Sequence, residues 1–137
     1  MRVYASAVFD LFHYGHVRFL KKCKTLHPNV HLIIGLHNDK DTEKYKRKPI
    51  MTQDERYISL LESNLVDEII QNAPIYETKE FYKIHNIELV VHAHSPEENK
   101  FYRDTCCKHA YEMGIFKRLD YQSGISTTEL INRIKNN

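Results

Sequence analysis

Apolar positions along this chain come in two forms, short near-continuous runs and longer stretches with helical spacing. Residues 2–8 make the first run and read as a strand. Over residues 15–25 the apolar side chains Val17, Phe19, Leu20 and Cys23, continued by Leu26, form a helical stripe. Arg18, Lys21, Lys22 and Lys24 lie mostly on the outward side, with Arg18 the exception to watch because it is one turn from the histidine loop. His27-Pro28-Asn29 stops that helix, and residues 30–36 are nearly all apolar, as in a parallel strand covered on both faces. Strand, helix and strand are complete within 36 residues, and their crossover is expected to be right-handed. Further strands are predicted at 66–70, 87–92 and 116–121, and helices at 78–85 and 104–113, the latter stopped by Gly114. Thr52 with Glu55, and Ser126 with Glu129, each have the spacing of a capping box. The second opens a terminal helix predicted to turn Leu130, Ile131 and Ile134 inward. Residues 40–49 hold Lys40, Lys44, Lys46, Arg47 and Lys48 without an apolar period, and read as a charge-dense loop. Strands alternating with helices predict an α/β fold of Rossmann-like type. It has a doubly wound parallel five-stranded sheet, helices on both faces, and a single domain over 1–137.

Composition narrows the partners. The chain is 42% hydrophobic and 28% charged, as in ordinary globular proteins, and its net charge of +2 gives no basis for nucleic acid or an anionic membrane as a partner. No apolar run approaches the roughly 20 residues of a membrane span. The N-terminus begins directly on a strand, so no signal peptide is expected. Cys23, Cys106 and Cys107 are odd in number and lack framework spacing, which predicts free thiols in the reducing cytoplasm. Cys106, Cys107 and His109 lack the CxxC spacing of a zinc site, so no protein metal site is expected.

The candidate chemistry sits where the first strand meets the first helix, in Phe9-Asp10-x-x-His13-x-Gly15-His16. Helix N-terminal N–H groups at such a junction attract phosphate, Gly15 permits close approach, and two imidazoles add to the site. By residue type alone the histidines also read as surface residues or as half of a metal site. The stretch resembles the signature of the cytidylyltransferases within the HxGH nucleotidyltransferase superfamily. Three later blocks resemble the same family in the same order. They are Lys46 with Met51-Thr52-Gln53-Asp54-Glu55-Arg56-Tyr57, then Val66-Asp67-Glu68-Ile69-Ile70 with Ala73-Pro74, then Gly124-Ile125-Ser126-Thr127-Thr128. The likeness is greatest to the choline-phosphate and ethanolamine-phosphate branch.

This resemblance implies transfer of CMP from CTP to a small phosphomonoester, releasing pyrophosphate and a CDP-alcohol, with Mg²⁺ accompanying the CTP. It implies catalytic roles for His13, His16 and Lys46. Nucleotide contacts are implied for Ala7, Val8, Phe9, Asp10, Gly15, Arg56, His92, Gly124, Ile125, Ser126 and Thr127. Asp10, Ile75 and His94 take the places that contact the phosphomonoester. The 65–70 stretch, from Leu65 through Ile70, resembles the family's dimer contact and implies a homodimer. Several positions depart from the pattern. Ser6 and Ala7 stand where the family has Asp-Gly, Tyr121 replaces an arginine and is followed by Gln122, and Ala93 and His94 replace an acidic pair. Two alternatives therefore accompany the transferase: a nucleotide-binding domain with weak or lost turnover, and transfer of a different nucleotide.

Overall fold

The computed structural model describes residues 1–121 and 123–137; Gln122 lies outside the described residues. Strands β1 (Arg2–Ala7), β2 (His31–Leu36), β3 (Glu68–Gln71), β4 (Leu89–Ala93) and β5 (Phe116–Leu119) form one sheet in the order β3-β2-β1-β4-β5. Every pairing is parallel. Between β1 and β4 the winding reverses, so their carboxyl ends diverge and open the crevice where such sheets take ligands.

Alternation along the strands sends side chains to two cores. Val3, Ala5, Leu32, Ile34 and Val91 point to one face, where Leu20 and Cys23 of α1 (Tyr14–Lys24) and Leu60 of α3 (Gln53–Glu62) cover them. Tyr4, Ile33 and Val90 point to the other, under Tyr82 of α4 (Lys79–Ile84) and Ala110 of α6 (Lys108–Glu112). The expected doubly wound sheet with helices on both faces is therefore present. Among the described residues, no helix is long and apolar enough to cross a membrane.

Three expectations are corrected. The charge-dense segment contains helix α2 (Asp39–Tyr45), with Asn38 as N-cap accepting from the Asp41 N–H, so Lys46 closes a helix instead of sitting in an open loop. The helix read at 104–113 is cut short: α5 (Asn99–Asp104) ends at its expected start, Thr105, Cys106 and Cys107 form a turn, and α6 takes up only the rest. In α7 (Thr127–Lys135), Leu130 and Ile131 are half-buried, but Ile134 is 67% exposed. Ile134 lies in the last turn, near the C-cap Asn136, where every described residue from 132 on is exposed.

Candidate active site

A cavity of about 280 Å³ lies over the divergent ends of β1 and β4. The loop leaving β1 forms its floor under strain. Phe9 and Leu11 adopt φ of 56° and 48°, left-handed values that bulky side chains rarely take. Asp10, between them, anchors the distortion: its carboxylate accepts from Leu11 N–H (3.1 Å), Ile50 N–H (2.8 Å) and Met51 N–H (2.9 Å). The β1 exit is thereby tied to the chain entering α3. Arg56 completes that tie. It is 0% exposed and donates to the carbonyls of Val8 (2.8 Å), His37 (2.8 Å) and Met51 (3.3 Å), and to the Asp39 carboxylate.

The two histidines double as the cap of α1. His13, the N-cap, accepts the Gly15 N–H on Nδ1 at 3.0 Å, and His16, at N3, accepts the His13 N–H on Nδ1 at 3.0 Å. They thus do what Ser and Glu do in an ordinary capping box. The consequence is chemical. An imidazole that accepts on Nδ1 while neutral carries its proton on Nε2, so both rings present Nε2–H donors. Burial pushes the His16 pKa down to about 3, helped by His13 and Lys46 and opposed by Asp10. Burial also lowers that of His13. Both are neutral donors at pH 7. The rings lie 3.9 Å apart, and Phe12 stacks on His16 at 5.3 Å.

The cavity rim is cationic. Lys46 closes α2, and crowding by the surrounding chain, then Arg47, lower its ammonium pKa against the pull of Asp10. Arg47 reaches Thr128 Oγ1 at 3.3 Å, joining the end of α2 to the start of α7. Arg18 lies over the Tyr14 ring at 4.6 Å and, with Lys22, lines the cavity. The nine-residue α7 aims its N-terminus there, the Ser126 hydroxyl capping the Glu129 N–H at 3.1 Å. Glu129 does not complete the expected box; its carboxylate takes Arg133 at 3.1 Å instead. The Thr127 hydroxyl donates to the Asp10 carbonyl at 2.8 Å and sits 3.5 Å from His13 Nε2. Its proton is therefore spent on the fold.

Of the residues singled out from sequence, Ala7, Val8, Phe9, Asp10, His13, Gly15, His16, Lys46, His92, Ile125, Ser126 and Thr127 line one cavity. Four do not. Arg56 is buried behind the β1 loop with its guanidinium committed to carbonyls, so it organises the floor instead of facing it. His94 is 1% exposed, beneath His92. Gly124 takes a φ of +95° that positions Ile125 next to it, and Ile75 is half-buried away from the cavity wall. The sequence reading missed Ser6, Lys22, Arg47 and Tyr102 among the lining residues. Arg47 carried a signal, adjacency to Lys46, whereas Tyr102 sits on α5, which has no motif.

Comparison with known proteins gives concordant matches. A family model described as cytidylyltransferase-like matches residues 4–133. Choline-phosphate cytidylyltransferase A of Rattus norvegicus is 40% identical over 98% of this chain and 36% of its own length. Choline-phosphate cytidylyltransferase 2 of Arabidopsis thaliana is 42% identical over 98% of this chain and 44% of its own. Ethanolamine-phosphate cytidylyltransferase of Mus musculus is 31% identical over 98% and 32% respectively. The chain thus spans less than half the length of these relatives. Among solved structures, a lipopolysaccharide core biosynthesis protein from Thermoplasma volcanium superposes with a TM-score of 0.68 at 20% identity, over 90% of this chain and 98% of that one. That match concerns the fold alone.

Proposed function

We propose a function from one premise: the chain belongs to the cytidylyltransferase-like family. On that premise the cavity transfers CMP from CTP to a small phosphomonoester, with choline-phosphate and ethanolamine-phosphate transfer the activities named for its relatives. The observation that carries this reading is the fixed tautomer of His13 and His16, two neutral Nε2–H donors at the mouth of a cation-rimmed cavity.

A phosphomonoester oxygen attacks the α-phosphorus, and the bond to the bridging oxygen breaks. Pyrophosphate leaves with the electron pair. The nucleophile is already an anion, so alignment and charge neutralisation are the main demands on the site. His13 and His16 donate to oxygens around the reacting phosphorus. Lys46, Arg18, Lys22 and Arg47 attract the triphosphate, and the first-turn N–H groups of α7 add to that field.

Mg²⁺ would enter with CTP and neutralise triphosphate charge. Asp10 spends both carboxylate oxygens on backbone N–H groups and Asp120 pairs with Arg118 at 2.8 Å, so phosphate oxygens and water would be its ligands. The free thiols of Cys23, Cys106 and Cys107 fit a cytoplasmic setting.

The test is pyrophosphate release from CTP, and separately from ATP, with a panel of phosphorylated alcohols. His16→Ala should lower kcat by about a hundredfold or more, as losing a transition-state donor does, with an unchanged circular dichroism spectrum. Turnover equal to the parent would remove His16 from the mechanism, and ATP working as well as CTP would remove the cytidylyl assignment. We also infer a homodimer through the 65–70 edge of the sheet. There β3 is an edge strand, and Ile58 and Leu61 on neighbouring α3 are 52% and 53% exposed. A monomeric mass in sedimentation would count against it.

A further inference from the structure

His13 and His16 give the cavity donors; a second part of its wall is made of acceptors. Strands β1 and β4 pair with Val3 opposite Leu89 and Tyr4 opposite Val90. Continuing that register brings Ser6 level with His92 at the diverging ends, and both line the cavity. Behind Ser6 lies Glu77, 5% exposed. The Ser6 hydroxyl donates to Glu77 Oε2 at 2.8 Å, and the Tyr82 hydroxyl donates to Oε1 at 2.7 Å. While ionised, the Glu77 carboxylate accepts the hydrogen bonds of both hydroxyls and leaves Ser6 Oγ only lone pairs for a ligand. Burial raises the Glu77 pKa to about 7, so the substrates are compared above that pH.

His92 is set by a longer relay. Asn99 Oδ1 lies 2.8 Å from His94 Nε2, and His94 Nδ1 lies 2.9 Å from His92 Nδ1. An amide oxygen only accepts, so His94 carries its proton on Nε2 and accepts on Nδ1. His92 must then donate from Nδ1, which leaves its Nε2 lone pair without a partner among the described residues. Tyr102 covers the ring at 4.2 Å, so only the edge of His92 is open to a ligand. This tautomer is the reverse of that in His13 and His16. It repels a phosphate oxygen and receives an O–H or N–H. Burial, with His94 beside it, holds the His92 pKa down to about 4, so the lone pair persists at neutral pH.

We propose that Asn99, His94 and Glu77 are positioning residues that make His92 Nε2 and Ser6 Oγ a paired acceptor site, selecting a phosphomonoester whose head carries an O–H or N–H donor over one whose head is fully methylated. The inference rests on the transfer reading above and names the substrate class of that same cavity. A primary ammonium, with three N–H donors, can serve both acceptors, and a single hydroxyl can serve one of them. A quaternary ammonium offers only methyl groups and leaves them desolvated and unpaired, a cost that sites built for a polar donor impose on analogues lacking it.

The experiment has two independent arms. In the first, kcat/KM is measured with CTP and ethanolamine phosphate carrying zero, one, two or three N-methyl groups. Two drops are expected, each about tenfold to a hundredfold for one lost hydrogen bond to a buried acceptor: one at the second methyl, where the single remaining N–H can serve only one acceptor, and one at the third, where none remains. Asn99→Asp keeps an acceptor at the end of the relay and should keep that order. Asn99→Leu should flatten it and raise KM for the phosphomonoester while KM for CTP holds. Choline phosphate used as well as ethanolamine phosphate, or Asn99→Leu losing rate equally with every substrate, would overturn the proposal. In the second arm, ¹⁵N chemical shifts of the His92 ring report its tautomer in the unliganded protein. Protonated Nδ1 with bare Nε2 is expected, and the reverse overturns the relay whatever the turnover. Should no phosphomonoester yield pyrophosphate, the transfer reading falls, and the His92 tautomer alone decides whether the relay stands.

Discussion

At Gly15 an added Cβ would lie 2.8 Å from His13 Cε1, 3.0 Å from its Nδ1 and 3.1 Å from Ile125 Cγ2. The residue is therefore required by its neighbour's ring, which needs that space to accept the Gly15 N–H. Gly15→Ala should leave the urea midpoint nearly unchanged, because alanine gains helix propensity of about 1 kcal/mol against the contact it creates. The displaced His13 should cost about tenfold to a hundredfold in kcat, the usual effect of misplacing a catalytic group by a fraction of an ångström to 1 Å. A fully active, equally stable variant would mean that the ring has another productive position. Sequence reading identified the requirement for glycine but left the space to backbone or a ligand, since spacing alone cannot say which way His13 turns. Arg56 shows the same limit more sharply. Its place after Thr52-Gln53-Asp54-Glu55 marked it as important, yet its partners at Val8, His37 and Met51 are backbone carbonyls, and no side-chain pattern encodes those.

Elements were legible wherever an apolar period or a cap declared them. The Thr52–Glu55 box forms in full, Thr52 N–H donating to Glu55 Oε1 at 2.9 Å and Glu55 N–H to Thr52 Oγ1 at 3.2 Å. Helix α2 escaped because Asp39–Tyr45 buries only Thr42 and has no stripe to read; its cap at Asn38 and the Arg56–Asp39 tie hold it in place. Caps also separate two kinds of loss. Thr52→Ala and Ser126→Ala should each reduce stability by about 1 kcal/mol, the common value for an N-cap serine or threonine. Only Ser126→Ala should also raise KM for CTP, because the first turn of α7 faces the cavity whereas the Thr52 cap is exposed away from it. Denaturation paired with pyrophosphate kinetics checks both. Equal effects on KM would mean that the α7 N-terminus does not hold the triphosphate.

For the molecule as a whole, strand and helix alternation made the parallel sheet legible, but not what the return across β1 would bury. The order β3-β2-β1-β4-β5 leaves histidines at the ends of three strands, His16 after β1, His37 after β2 and His92 on β4, and their burial sets the pH response. Burial lowers the pKa of His16 to about 3, and those of His37 and His92 to about 4. Unfolded histidine titrates near 6.5. Between those values the unfolded chain binds more protons, so stability is lost as pH falls from about 6.5 towards 4. Glu77 works in the opposite direction. Burial raises its pKa to about 7, against the lowering effect of the Tyr82 and Ser6 hydroxyls. From its unfolded value up to about 7 the folded state therefore holds the extra proton, which stabilises it as pH falls. Three histidines against one carboxyl leave roughly two protons, or about 2–3 kcal/mol per pH unit near pH 5.5. Urea midpoints should accordingly drop steeply from pH 6.5 to pH 5, and a flat profile would mean the rings are solvated in the folded protein. His37 isolates one contribution, since its Nδ1 meets only Tyr45 OH at 3.0 Å and its buried Nε2 has no hydrogen-bond partner among the described residues. His37→Asn should lessen the slope by up to about one proton, roughly 1.4 kcal/mol per pH unit. An unaltered slope would assign the acid sensitivity to the cavity histidines alone.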